Sequence, residues 1–155
     1  MRISPFLPLA SLVALTGCAP SENDHAGKNP PNIIYIMADD LGYADIEPFG
    51  QEIIQTPSLS RMANEGIVFT QHYAGNTVCA PSRCSLLTGK HPGNAYVRGN
   101  MQAEPSGQLP LPEGTVTVSG ILDEAGYVTG FIGKWGLGNI GNSGDPFNFG
   151  WDYYY

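Results

Sequence analysis

Positive charge is scarce in this sequence: 7 Lys and Arg stand against 14 Asp and Glu in 155 residues, a formal net charge of −7. No cluster of Lys or Arg is present to neutralise a phosphate backbone, which argues against a nucleic-acid binder. Charge of either sign is sparse, at 14% of residues. There is no internal repeat. The apolar stretch Phe6–Leu15, interrupted by Pro8 and Ser11, is too short to remain in a bilayer as a spanning helix. Turn-forming residues are abundant instead: 20 Gly and 13 Pro argue against a helical bundle or coiled coil. A hydrophobic fraction of 42% is enough for a packed core and argues against wholesale disorder. The length suits one domain or less.

The chain opens on a targeting segment. Arg2 supplies a minimal positive region, Phe6–Leu15 the apolar one, and Leu15-Thr16-Gly17-Cys18 follows. That tetrad resembles the lipobox of bacterial lipoproteins, in which the Cys thiol carries a diacylglyceryl group. The expectation is a lipoprotein signal peptide over residues 1–17 and a lipid attached at Cys18; an ordinary secretory signal is the alternative. Ala19 rather than Asp follows Cys18, which favours an outer-membrane lipoprotein or a periplasm-facing protein. Residues 18–30 read as the lipidated Cys and a flexible polar tether. His25, within it, has no second ligand-type residue at metal spacing and reads as solvated.

Residues 31–155 form the head. Asn32–Ala38 is apolar and rich in β-branched residues, the pattern of a central strand buried on both faces. Thr56-Pro57 predicts the N-cap and first position of a helix carrying Leu59 and Met62 and stopping at Gly66. Ile67–Thr70 is expected to resume as a strand, and Pro81–Thr88 to be a short helix followed by Gly89. A further helix is predicted over about residues 117–125, halted by Gly126 and leading into a strand over Tyr127–Ile132. Strands alternating with helices indicate an α/β fold: a layered, mostly parallel sheet with helices on both faces. Lys90 to Gly114 is loop-like. Nothing in the Gly-rich end, closing on Tyr153, Tyr154 and Tyr155, caps a helix or completes a domain, so the chain reads as the N-terminal portion of a longer one.

Ligands of open α/β sheets gather at the carboxyl ends of strands. The first strand ends at Asp39-Asp40, adjacent carboxylates that are costly together unless a cation or hydrogen-bond donors sit between them. Read alone, such a pair is more often a solvated turn or helix cap. Their hard oxygens favour Ca²⁺ or Mg²⁺. Cys79 precedes a helix, whose N-terminus lowers a thiol pKa and favours anions. Arg83 lies one turn on and can face the same anion. Cys84 faces elsewhere and reads as a small core residue, since helical geometry rarely brings such a pair into disulfide range.

Cys79-Ala80-Pro81-Ser82-Arg83 followed by Leu86-Leu87-Thr88-Gly89 resembles the signature of type I, formylglycine-dependent sulfatases. Asn32–Gly42 resembles that family's first strand with its Asp-Asp metal pair. Gly126-Tyr127 through Gly133-Lys134-Trp135 resembles its second signature, with a sulfate-binding Lys. The resemblance covers roughly Pro31 to Tyr155 and implies an alkaline-phosphatase-like fold, here its N-terminal portion, from an arylsulfatase-like enzyme. Gly136 departs from the family pattern, standing where many members carry His; Gly-Lys-Trp-Gly-Leu-Gly occurs in a bacterial branch. The later part of family members brings further metal ligands, another Lys and a catalytic His, none of them within these 155 residues.

The resemblance implies that a maturation enzyme converts Cys79 to Cα-formylglycine. One hydroxyl of its hydrate attacks sulfur and the second later expels sulfate by collapsing to the aldehyde, a step closed to plain Ser or Cys. Asp39, Asp40 and residue 79 would hold the divalent cation, Ca²⁺ ahead of Mg²⁺; Arg83 would stabilise the hydrate and Lys134 a sulfate oxygen. The substrate would be a sulfated glycan or an aryl or alkyl sulfate. Lys90 matches a basic position that follows Thr-Gly in relatives and reads as a support behind the site or as a surface residue. His72 and His91 flank the Cys79 region and read as pocket-lining, structural or solvated. Arg98 and Asn100 could reach a sulfated sugar. Two alternatives remain: a phosphonate or phosphate monoester hydrolase of the same superfamily, and a non-catalytic truncated lipoprotein. The 155 residues alone are expected to be inactive.

Overall fold

The structure is a computed structural model that describes residues 30–105 and 107–155. The signal peptide, Cys18 and the tether up to residue 29, His25 included, lie outside the described residues. Ala38–Tyr155 forms one compact unit, separate from the residues up to Met37. Among the described residues no helix is long and apolar enough to cross a membrane.

Three helices stand where the stop and start signals put them. The first, α1, spans Pro57–Glu65 between Thr56 and Gly66. Helix α2 spans Cys79–Thr88 and ends on Gly89 at φ 65°, a left-handed cap that an L side chain would strain. Helix α3 spans Val118–Glu124, and its N-cap Thr117 accepts a hydrogen bond from the Gly120 amide at 3.2 Å. Cys79 is therefore the first residue of α2, not the residue before it.

The strands differ more. The only ladder among the described residues is parallel and two residues long: β1, Gly130–Phe131, beside β2, Tyr153–Tyr154. The strand expected over Tyr127–Ile132 is thus confined to its middle, and the terminal tyrosines, which promised no element, supply its partner. Asn32–Ala38 and Ile67–Thr70 form no strand, and Ile33, Ile34, Tyr35, Ile36, Ile67 and Phe69 are exposed. An apolar run records that a segment favours burial; a strand also needs a neighbour for its ladder bonds, and neither segment has one here. Helices combined with a small parallel sheet keep the chain in the α/β class.

The core gathers residues that are far apart in sequence. Cys84 and Leu87 of α2 meet Ala95, Val97, Leu111, Trp135, Leu137 and Phe149. Phe131 of β1 bridges outward, edge-on to Trp135 and Trp151 at 5.6 and 5.3 Å and stacked on Tyr154 at 5.8 Å. Several buried polar groups of the core are partnered: Trp135 Nε1 donates to the Gly144 carbonyl at 2.7 Å, and the Thr117 and Ser119 hydroxyls donate to that of Phe149 at 3.0 and 2.6 Å, whereas Ser85 Oγ and Trp151 Nε1 have no partner among the described residues. Gly150, at φ 79°, passes so close to Gly120 that a Cβ there would lie 2.6 Å from its Cα.

Candidate active site

Helix α2 leaves Cys79 and Ala80 half-buried at its start and buries Pro81, Cys84, Ser85 and Leu87. Cys79 is half-buried and Cys84 fully buried, and both are free thiols. The N-cap residue, Val78, has no side chain able to cap, and Pro81 brings no amide hydrogen to the first turn. Asn100 fills the gap from 20 residues away: its Oδ1 accepts from the Ala80 amide at 3.1 Å. Sequence reading offered Asn100 only as a sugar contact. No local pattern marks a cap supplied from a distant loop.

Four of the expected site residues converge at this turn. Arg83, one turn on from Cys79, donates through Nη2 to Asp39 Oδ2 at 3.3 Å. Lys134, just beyond β1, places Nζ 3.7 Å from the same oxygen and 3.2 Å from Cys79 Sγ. The Lys134 ammonium is held above its ordinary pKa of 10.5, first by its hydrogen bond to Cys79 and then by the charges of Cys79 and Asp39. A raised amine pKa means that the contact is fully formed below the ordinary value and is lost as pH rises through the higher one. Lys134 is therefore charged throughout the neutral range. Arg83 is mostly buried, and its Nε is a buried donor with no partner among the described residues. Gly136, at φ 75°, lies against this turn: a Cβ there would be 3.8 Å from Ala80 and from Arg83 Cδ.

Asp40 is adjacent but makes no such contact. It is exposed and sits at φ 59°, a left-handed conformation that Asp tolerates better than most residues. No three His, Cys, Asp or Glu side chains gather as a metal-ligand set among the described residues. Asp39 and Asp40 do offer the hard oxygens a Ca²⁺ or Mg²⁺ ion takes, so the donors fit in kind and are incomplete in number. His72 lies beside Phe69, with ring centres 6.4 Å apart, and His91 Nδ1 accepts from the Gly93 amide at 3.1 Å. Neither has a recorded contact with the Cys79 cluster.

A carboxylate, two cations and a thiol at a helix N-terminus suit a tetrahedral oxyanion attacked from position 79. The family model for sulfatases matches residues 31–155. The chain belongs to the sulfatase family. This sulfatase chain is 40% identical over 149 residues to the N-acetylgalactosamine-6-O-sulfatase of Bacteroides thetaiotaomicron, covering 95% of itself and 28% of that protein. It is 42% identical over 137 residues to Homo sapiens arylsulfatase D, covering 81% of itself and 23% of that relative. The crystal structure of Ps i-CgsB matches with a TM-score of 0.73 at 36% identity, over 81% of the sulfatase chain and 28% of that one. Ps i-CgsB in complex with k-i-k-neocarrahexaose matches at 0.67 and 34%, over 74% and 25%. The chain thus spans about a quarter of the length of these relatives, and the family and fold expected from the Cys79 and Lys134 motifs are borne out.

Proposed function

We propose that this chain carries the nucleophile end of a sulfuric ester hydrolase acting on a sulfated glycan. The observation that carries the reading is the cluster at α2: Lys134 Nζ lies 3.2 Å from Cys79 Sγ and 3.7 Å from the Asp39 carboxylate that Arg83 also holds. Cys79, oxidised to the aldehyde by a maturation enzyme and hydrated, offers a hydroxyl oxygen to sulfur at the mouth of the helix. The sulfur–oxygen bond to the sugar breaks, the sugar leaves as an alcohol carrying a proton, and a sulfate ester remains on residue 79. Lys134 neutralises a sulfate oxygen as charge shifts onto it, and Arg83 donates its unpartnered Nε–H to an oxygen of the hydrate. Loss of a proton from the remaining hydroxyl of residue 79 then expels sulfate and restores the aldehyde. Asp39 and Asp40 would hold a divalent cation, which when bound lowers the pKa of an oxygen beside it. The glycan class is supported by one relative named N-acetylgalactosamine-6-O-sulfatase and by Ps i-CgsB, whose structure is in complex with k-i-k-neocarrahexaose.

The proposal extends to the ends of the chain. Residues 1–17 act as a lipoprotein signal and Cys18 bears the lipid, standing the head off the outer membrane. Met1–Tyr155 by itself gives no turnover, because the donors present do not complete a cation's shell of about six to eight oxygens. The test is to co-express the chain with a formylglycine-generating system and assay an aryl sulfate with Ca²⁺ and then Mg²⁺. Conversion of Cys79 without turnover is expected. Turnover that vanishes in Cys79→Ala would show that the donors present suffice.

A further inference from the structure

Lys90 and Arg98 are the two cations among the described residues without an ion pair; Arg61 is matched with Glu65, and Arg83 and Lys134 with Asp39. Both line one cleft of about 490 Å³, together with Thr88, Asn94, Tyr96 and Thr115, and no Asp or Glu lines it. Two like charges gathered in a cleft without a counter-charge, in a chain of net charge −7, make a local field that favours an anion. A cation just past the C-cap of α2 suits the helix dipole, which accounts for Lys90 but not for Arg98. Arg98 donates Nε to the Ala95 carbonyl at 3.0 Å, and no other partner of its guanidinium is found among the described residues.

The position of the cleft ties it to the site. The segment 90–100 leaves the C-cap of α2 and returns to its first turn, where Asn100 accepts from the Ala80 amide. It therefore runs the length of a ten-residue helix, about 15 Å. Arg98 is two residues from Asn100, at most about 7 Å of chain. The hydroxyls of Thr88 and Thr115, the Asn94 amide and the exposed Tyr96 ring suit sugar hydroxyls and a sugar face.

We propose that the Lys90–Arg98 cleft is a second anion subsite, which takes a further sulfate group of a multiply sulfated glycan whose scissile sulfate lies at residue 79. The ligand class rests on the sulfatase reading; the cleft itself does not require turnover. The test is calorimetric titration of Met1–Tyr155 with a galactan hexasaccharide bearing two sulfates per disaccharide, its singly sulfated and unsulfated forms, and sodium sulfate. The doubly sulfated sugar should bind tightest, about tenfold more weakly to Lys90→Gln/Arg98→Gln, and equally to Met62→Ala, whose side chain lies outside the cleft. Lys90→Gln alone, an exposed change, should cost about threefold with its melting temperature unchanged, which covers a double variant that fails to fold. The proposal is overturned if the wild-type chain does not bind the doubly sulfated sugar, or if the folded variants bind it as the wild type does. It is equally overturned if sodium sulfate binds as tightly as the sugar, which marks a free-anion site. Failure of the sulfatase reading leaves a different record: Cys79 unconverted, with the Lys90 and Arg98 dependence intact.

Discussion

Helices α1 and α2 are nearly equal in length, nine and ten residues, and are held by different forces. Helix α2 buries Pro81, Cys84, Ser85 and Leu87, whereas α1 buries no residue. What holds α1 is polar: Glu47 Oε2 accepts from the Thr56 amide at 2.7 Å and the Ser60 hydroxyl at 2.9 Å, while the Glu47 amide donates to Thr56 Oγ1 at 3.0 Å. Its apolar residues Leu59 and Met62 are exposed and line a groove of about 1230 Å³ shared with Tyr43, Phe49 and Phe69. Local signals of the same kind start and stop both helices, so the difference lies in packing. The proposed chemistry rides on the packed one. In that proposal, residue 79 at the first turn of a helix seated in the core keeps its direction towards Lys134 and Asp39.

The comparison breaks most severely at the core. Trp135→Ala removes the ring between Phe131 and Phe149 and leaves the Gly144 carbonyl without its donor. It should destabilise the unit by about 3–5 kcal/mol, read from denaturant unfolding, with loss of α2 protection in hydrogen exchange. Asn100→Ala should cost about 1 kcal/mol by leaving the Ala80 amide uncapped, and its effect should show first at the start of α2. Acid should act on the other helix. Hydrogen bonds from Ser60 and then from the Thr56 amide hold the Glu47 carboxyl below its ordinary 4.5. A lowered carboxyl pKa contributes stability above the ordinary value and loses it as pH falls through the folded one. Exchange protection of α1 should therefore fade below about pH 4.5 while that of α2 persists, and Glu47→Gln should remove the pH dependence. Smallest of all, Met62→Ala should change stability by no more than about 0.5 kcal/mol, because the side chain is already exposed.

The same contrast explains what was legible beforehand. Thr56-Pro57, Thr117, Gly89 and Gly126 mark helix ends through backbone chemistry that a few neighbouring residues determine, and those ends are where expected. Strands depend on partners. Nothing within Asn32–Ala38 says which segment pairs with it, and nothing in Tyr153-Tyr154 announces a partner for Gly130-Phe131. For the site, the resemblance supplied Cys79, Arg83, Lys134 and Asp39, but spacing could not show that separations of 44 and 55 residues close to 3.3 and 3.2 Å. Asn100 escaped for the same reason, since its role exists only once α2 and the 90–100 segment lie side by side.

The central claim is that Cys79 becomes an aldehyde at the mouth of α2. The direct measurement is the mass of the Cys79 peptide after co-expression with a formylglycine-generating system. Conversion of CH₂SH to CHO lowers it by roughly 18 mass units, whereas ordinary thiol oxidation raises it. The account predicts that loss in the wild-type chain and none in Arg83→Ala, which removes the Arg of Cys79-Ala80-Pro81-Ser82-Arg83. A wild-type peptide that keeps its full thiol mass would contradict the claim.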